Sequence, residues 1–234
     1  MSDRDILVAR DVSSGYGAVA VVRSVNLALG AGEALAVLGK NGMGKTTLLK
    51  TIVGLLPLQG GAIRIAGADA PLSPADLVAK GVSYAPQDQP LFQDLSVRDN
   101  LRLALRRDAE LGPALERAVG YFPFLAERLS QRAGTLSGGE QKMLILARAL
   151  MLKPRLVLID EISEGLQPSV LHRIAGVLRE EISREGVAIL MVEQNLDFAL
   201  SVAQRWAVLE RGEIRDEGRR DEGARERISQ QMSL

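Results

Sequence analysis

The 234-residue sequence contains no cysteine and a single histidine, His172. The first absence excludes disulfides, thiolate zinc sites, iron–sulfur ligation and cysteine nucleophiles. The second argues against a multi-histidine metal site and against a Ser–His–Asp hydrolase. Net charge is missing too: 29 Lys and Arg balance 29 Asp and Glu, so no overall field favours nucleic acid or anionic lipid. No stretch approaches the ~20 apolar residues needed to cross a bilayer. The opening Met1-Ser-Asp-Arg-Asp5 lacks a basic segment followed by an apolar one, so no signal peptide is expected. What remains is an ordinary globular composition, 47% hydrophobic and 25% charged. It suits one large α/β domain with a buried core, expected in the cytoplasm.

Strand-length apolar runs alternate with helical patterns, the signature of a largely parallel sheet with crossover helices. Strands are expected at Leu35–Leu38, Ala62–Ala66, Val82–Ala85, Leu156–Ile159 and Val187–Val192. The last two are the most apolar and predict the sheet centre, buried on both faces. Thr46–Val53 reads as a helix stopped by Gly54 and Pro57, and Ser73-Pro74 opens a short one. Another helix follows Asn195, and Arg211-Gly212 reads as the turn of a hairpin between Trp206–Leu209 and Glu213–Arg215. From about 88 to 150 no good strand candidate appears. Ser96–Asp99 there is a capping box ahead of Leu101, Leu103 and Leu105, so this stretch is expected to be a helical insertion within one domain spanning 1–234. The charged tail from Glu217 onward is expected to be a marginal helix or a frayed end.

Three motifs carry chemistry. Gly39-Lys-Asn-Gly-Met-Gly-Lys-Thr46 fits G-x-x-x-x-G-K-[ST] between a strand and a helix. Glycines let backbone N–H groups curl around phosphate oxygens, and the helix N-terminus adds partial positive charge. Lys45 can reach the outer phosphates and the Thr46 hydroxyl can ligate Mg²⁺. Asp160 and Glu161 end an apolar strand: the first fits a Mg²⁺ partner, while Glu161 points elsewhere and could polarise water. Paired acids at a strand end also commonly do no more than solvate a turn. Leu136-Ser-Gly-Gly-Glu140 opens the helix Glu140–Leu150 and offers a second anion-binding helix start. One nucleotide has one γ-phosphate, so a second cradle suggests a nucleotide held by another copy.

Together these motifs resemble the nucleotide-binding subunit of ABC transporters, over essentially the whole chain. The resemblance implies a P-loop NTPase fold: a RecA-like parallel core with an N-terminal antiparallel β part and an inserted helical subdomain. It implies that Gly39, Lys40, Asn41, Gly42, Met43, Gly44, Lys45, Thr46 and Thr47 surround ATP phosphates. Thr46, Gln87 and Asp160 would hold Mg²⁺, with Glu161 as the base. Tyr16 occupies the place of an adenine-stacking aromatic. Ser137, Gly138, Gly139 and Glu140 would face the ATP of a second cassette packed head to tail. The segment after Gln87 would meet a membrane permease, placing the chain on the inner face of the membrane and linking it indirectly to a periplasmic binding protein, with no nucleic-acid partner.

Two departures narrow the likeness. Gln194, in Val-Glu-Gln-Asn195, stands where the family usually has a histidine contacting the γ-phosphate. It can donate a hydrogen bond but cannot carry an imidazolium charge. His172 does not replace it, since Leu171, Ile174, Val177 and Leu178 form the apolar stripe of its helix and leave His172 on the wetter side. Gln167, in Ile162-Ser-Glu-Gly-Leu-Gln-Pro168, stands in place of the interface aspartate. Both resemble the importer branch for branched-chain amino acids, urea or short amides, which usually pairs two different cassettes and therefore favours a heterodimer. Ile162, where relatives carry proline, has no functional account from sequence. The rival reading is a soluble ABC-type ATPase of DNA repair, translation or cofactor assembly, but the long insertions or basic extensions of such relatives are not seen. A P-loop kinase or GTPase would leave Leu136–Glu140 without a purpose.

Overall fold

The computed structural model describes residues 5–70, 72–88 and 91–233. Two twelve-residue strands, β1 (Asp5–Tyr16) and β2 (Val19–Gly30), form a long antiparallel hairpin. β3 (Ala34–Leu38) follows, buried at every position, and leads through the glycine-rich loop into α1 (Lys45–Ile52). β4 (Leu58–Ile65) and β5 (Ala68–Asp69) return to the hairpin and complete a four-stranded sheet in the order β2-β1-β4-β5. The expected strand at Ala62–Ala66 is therefore antiparallel and outside the parallel sheet, and Ala66 has already entered a turn (φ 48).

α2 (Pro74–Ala79) begins with a capping box between Ser73 and Asp76 and precedes β6 (Val82–Ala85). Helices then follow: α3 (Val97–Arg102), α4 (Leu111–Tyr121), α5 (Leu125–Arg128) and α6 (Gly138–Leu150). α3 stops earlier than its leucine pattern suggested, and Leu103 is exposed beyond it. β7 (Leu156–Asp160), α7 (Pro168–Glu180) with a π-helical turn at Glu181–Glu185, β8 (Ala188–Glu193), α8 (Leu196–Val202) and the hairpin of β9 (Arg205–Glu210) and β10 (Glu213–Arg219) complete the core. The tail does not fray. It supplies the rest of β10 and a terminal helix, α9 (Ala224–Ser233), whose Ala224 and Ile228 are fully buried.

The second sheet runs β10-β9-β3-β8-β7-β6, parallel except for β10. Side chains alternate across a strand, and here both faces are covered. Ala34, Ala36, Leu38, Val157, Ile159, Ile189 and Met191 pack with the helices, including Leu144, Leu178 and Phe198. Leu35, Val37, Leu156, Leu158, Leu190 and Val192 pack with Leu48 and Ile52 of α1 and with the first sheet. This accounts for continuous apolar runs in place of alternating ones. The parallel strands end together along one edge, so β3, β6, β7 and β8 deliver the residues that follow them to one place, the usual ligand edge of such a sheet.

Candidate functional site

Leu38 pairs with Glu193 at the end of β3, so the loop starting at Gly39 leaves the sheet beside the end of β8. A Cβ on Gly39 would lie 2.5 Å from the Leu209 carbonyl oxygen, closer than packing permits. Gly44, with φ 100, caps α1 in the left-handed region. Lys40, Asn41 and Gly42 are exposed on the loop, Met43 is half-buried and Thr47 is buried. Met43 is braced by the β9–β10 turn: the Gly212 N–H donates to its carbonyl at 3.0 Å and the Arg211 N–H to its Sδ at 3.3 Å.

Lys45 is buried, 3% exposed. Its Nζ donates to the Gly39 and Lys40 carbonyls at 2.7 and 2.9 Å and pairs with Glu161 Oε1 at 2.8 Å. The Thr46 hydroxyl donates to Asp160 Oδ1 at 2.9 Å, and the Tyr84 hydroxyl donates to Oδ2 at the same distance. Burial raises the Asp160 carboxyl, against the lowering effect of these two hydrogen bonds, and the charge of Glu161 adds to the rise. Tyr84 is itself pushed up, by burial first and then by Asp160.

Glu161 has a left-handed backbone, φ 44, held by its N–H bond to the Val192 carbonyl at 3.0 Å. That conformation turns it away from Asp160 and toward Lys45. Gln87, arriving from β6, donates through Nε2 to Glu161 Oε2 at 2.9 Å and to Glu164 Oε2 at 3.0 Å. Two bonded groups thus lie side by side on adjacent residues: Thr46 and Tyr84 on Asp160, and Lys45 and Gln87 on Glu161. Gln194 is exposed and shares a cleft of about 400 Å³ with Glu161 and Glu164.

Two groups stand apart. Tyr16 ends β1 at 53% exposure. Ser137 caps α6: its hydroxyl accepts the Glu140 N–H at 3.3 Å, while the Glu140 carboxylate accepts the Ser137 N–H and hydroxyl at 2.9 Å each. The Ser137 backbone and side-chain bonds lower the Glu140 carboxyl, and the capping box keeps that carboxylate occupied. Among the described residues no hydrogen bond or ion pair joins Tyr16 or Ser137–Glu140 to the phosphate-binding loop. α6 touches the site one turn further in, where Lys142 Nζ donates to the Gln87 carbonyl at 3.4 Å. His172 is exposed on α7, as its helical position predicted.

Sequence reasoning missed Tyr84, Ser163, Glu164 and Glu193. Glu193 ends an apolar strand in a carboxylate just as Asp160 does, and that signal was present in Val187–Glu193. The partners of Tyr84 and Ser163 come from distant strands and leave no local trace.

A glycine-rich loop opening a helix, a hydroxyl–carboxylate pair beside it and a second acid turned toward the loop lysine stand together at this edge. The model of a known family, ABC transporter, matches residues 22–164. The chain belongs to the ABC transporter family. The high-affinity branched-chain amino acid transport ATP-binding protein BraG of Pseudomonas aeruginosa is 38% identical over 206 residues, covering 87% of this chain and 88% of BraG. The lipopolysaccharide export system ATP-binding protein LptB of Escherichia coli K12 is 33% identical, over 89% and 88%. The probable branched-chain amino acid transport ATP-binding protein LivF of Archaeoglobus fulgidus is 32% identical, over 90% and 91%. In fold, a nucleotide-free ATP-binding cassette from an ABC transporter matches with a TM-score of 0.88 at 24% identity, over 96% of this chain and 95% of that one. This ABC cassette is an ATP hydrolase. Among its described residues no helix is long and apolar enough to cross a membrane.

Proposed function

We propose that the chain is the ATP-hydrolysing subunit of an importer for branched-chain amino acids or for small amides such as urea. The observation that carries this reading is the pair of acids at the end of β7, Asp160 bonded to Thr46 and Glu161 to Lys45 and Gln87, in a chain 38% identical to BraG. Gln167 and Gln194, which set this sequence apart from the family's usual aspartate and histidine, support the same branch.

In this reading the loop amides of residues 39–47 and Lys45 hold the outer phosphates of ATP, and Tyr16 offers its exposed ring to the adenine. The donors fit a divalent cation: the Thr46 hydroxyl and the Asp160 carboxylate are hard oxygen ligands 2.9 Å apart, and the Gln87 amide would add a third. An Mg²⁺ ion held by these residues would offset phosphate charge. Among the described residues no group of His, Cys, Asp and Glu forms a complete cage, which suits an ion that keeps water and phosphate in its shell.

Glu161 then takes the proton of the attacking water. Its ion pair with Lys45 gives this step an order: phosphate oxygens entering the loop compete for the lysine ammonium and leave Glu161 Oε1 free for water. Gln194, exposed in the same cleft, donates its amide N–H to the γ-phosphate. Ser137–Gly139 and the start of α6 face the ATP of a second cassette, with Glu140 reserved for the capping box. Residues 88–150, as a helical subdomain, carry the permease contact, and the chain works at the inner face of the membrane through that contact. A different cassette as partner is the arrangement we favour.

The decisive pair of variants is Lys45→Ala and Glu161→Gln. Lys45→Ala lowers ATP affinity or turnover by roughly 100-fold. Glu161→Gln still binds ATP while its hydrolysis falls by roughly 100-fold or more. Undiminished turnover in Glu161→Gln would falsify the assignment of the base. A second reading, an export cassette, rests on the 33% identity to LptB. ATPase assays with co-encoded permeases separate the two, because only an importer is stimulated by a solute-loaded binding protein.

A further inference from the structure

One buried acid at this edge has no part in the hydrolysis scheme. Glu193, the last residue of β8, is 1% exposed. Its Oε2 accepts the Ser163 hydroxyl at 2.6 Å, its Oε1 accepts the Ser163 N–H at 3.2 Å, and the Asn195 N–H also donates to the carboxyl. Its own backbone carbonyl accepts the N–H of Gly39, the first residue of the phosphate-binding loop, at 3.3 Å. Residue 193 therefore touches three segments: the loop that begins at Gly39, the turn that carries Glu161, and the loop that carries Gln194.

We infer that Glu193 and Ser163 form a positioning clamp that fixes the Glu161 turn against the Gln194 loop. The inference rests on the assignment of Glu161 as base. Glu161 needs such a support because its left-handed backbone (φ 44) is unfavourable for a residue with a side chain. Its backbone N–H is anchored on Val192, and the clamp adds two more bonds two residues further on. Ser163 is itself buried, so neither side of the clamp exchanges its bonds with water. Burial, against the hydrogen bonds from Ser163 and Asn195, pushes the Glu193 carboxyl up to about 7. The clamp survives either state. An ionised Glu193 accepts both Ser163 bonds, whereas a neutral one accepts the N–H and donates its own proton to the Ser163 hydroxyl.

The test is steady-state ATP hydrolysis by the full-length protein carrying Ser163→Ala, Ser163→Thr, Glu193→Leu or Glu193→Gln, with Glu161→Gln as reference. Ser163→Ala and Glu193→Leu are expected to lower kcat at least about 10-fold with KM for ATP within about 2-fold, because only orientation is lost. Ser163→Thr, which keeps both donors, and Glu193→Gln, which mimics the neutral acid, recover most of that loss. Should Glu193→Leu fail to fold, Ser163→Ala with its Ser163→Thr rescue decides. A Ser163→Ala enzyme with kcat near wild type, or one whose kcat and ATP affinity fall together and are not restored by threonine, overturns the clamp. If Glu161→Gln itself hydrolyses ATP normally, the assignment of the base fails instead.

Discussion

Single residues here are constrained by what lies within a bond length or two of them. At Gly39 an added methyl would lie 2.5 Å from the Leu209 carbonyl oxygen, and β9 cannot retreat without breaking its pairing with β3. Gly39→Ala is therefore expected to cost about 1–3 kcal/mol in chemical denaturation and to weaken ATP binding with it. Glu193 gives a prediction of opposite kind. Its carboxyl is raised to about 7 in the folded chain, from an ordinary value near 4.5. The folded state thus holds this proton more tightly than the unfolded one. The stability so contributed is complete below about 4.5 and is lost as pH rises through about 7. Thermal melts from pH 5 to 8 should show the wild type losing stability relative to Glu193→Gln, whose amide does not titrate. Parallel curves would show that the carboxyl is not strained by burial.

At the scale of elements, much was legible. β3, β6, β7 and β8 appear within a residue or two of their apolar runs, because strands buried on both faces need hydrophobic residues at successive positions. The glycine-rich loop and the two strand-end acids were equally plain, since their chemistry is local in sequence. The first sheet was expected only through the family resemblance and the Ala62–Ala66 run, and its strand bounds were not legible. β1 and β2 mix Val and Leu with Arg10, Asp11, Arg23 and Asn26, and their register shifts break the alternation a reader looks for. The charged tail, expected to be a marginal helix or a frayed end, is a helix seated on the core. α9 is strongly polar, yet Ala224 and Ile228 seat it on the core, and Arg227 lies 5.7 Å from the centroid of the Trp206 ring. Ile228→Ala should accordingly cost about 2–4 kcal/mol, where a frayed end would tolerate it. Ile162, without an account from sequence, is 2% exposed and packs in the same core cluster as Ile159 and Ile174. There it acts as filling between the Glu161 turn and α7.

For the molecule as a whole, the decisive fact is that the glycine-rich loop before α1 and the start of α6 are joined by no hydrogen bond or ion pair among the described residues. The glycine-rich loop lies at the ends of β3 and β8, while Ser137 opens α6 with its capping box already closed by Glu140. Gly138 and Gly139 leave the first N–H groups of α6 unshielded. A Cβ on Gly138 would meet nothing, and one on Gly139 only Val170. If a second cassette brings its nucleotide to this helix start, ATP is the adhesive between protomers, and association is linked to nucleotide occupancy. Glu161→Gln, which keeps ATP intact, should then associate with the co-encoded second cassette on adding ATP with Mg²⁺ in sedimentation or size-exclusion measurements, and return to monomer when nucleotide is removed. Ser137→Arg should block that association while leaving ATP bound at the chain's own loop, because its bulk and lost cap affect only the face offered to the partner. A heterodimer makes a sharper forecast. The variant alone stays monomeric with ATP, and dimer forms only when the co-encoded second cassette is added. ATP-dependent dimerisation that persists in Ser137→Arg would place the interface elsewhere on the molecule.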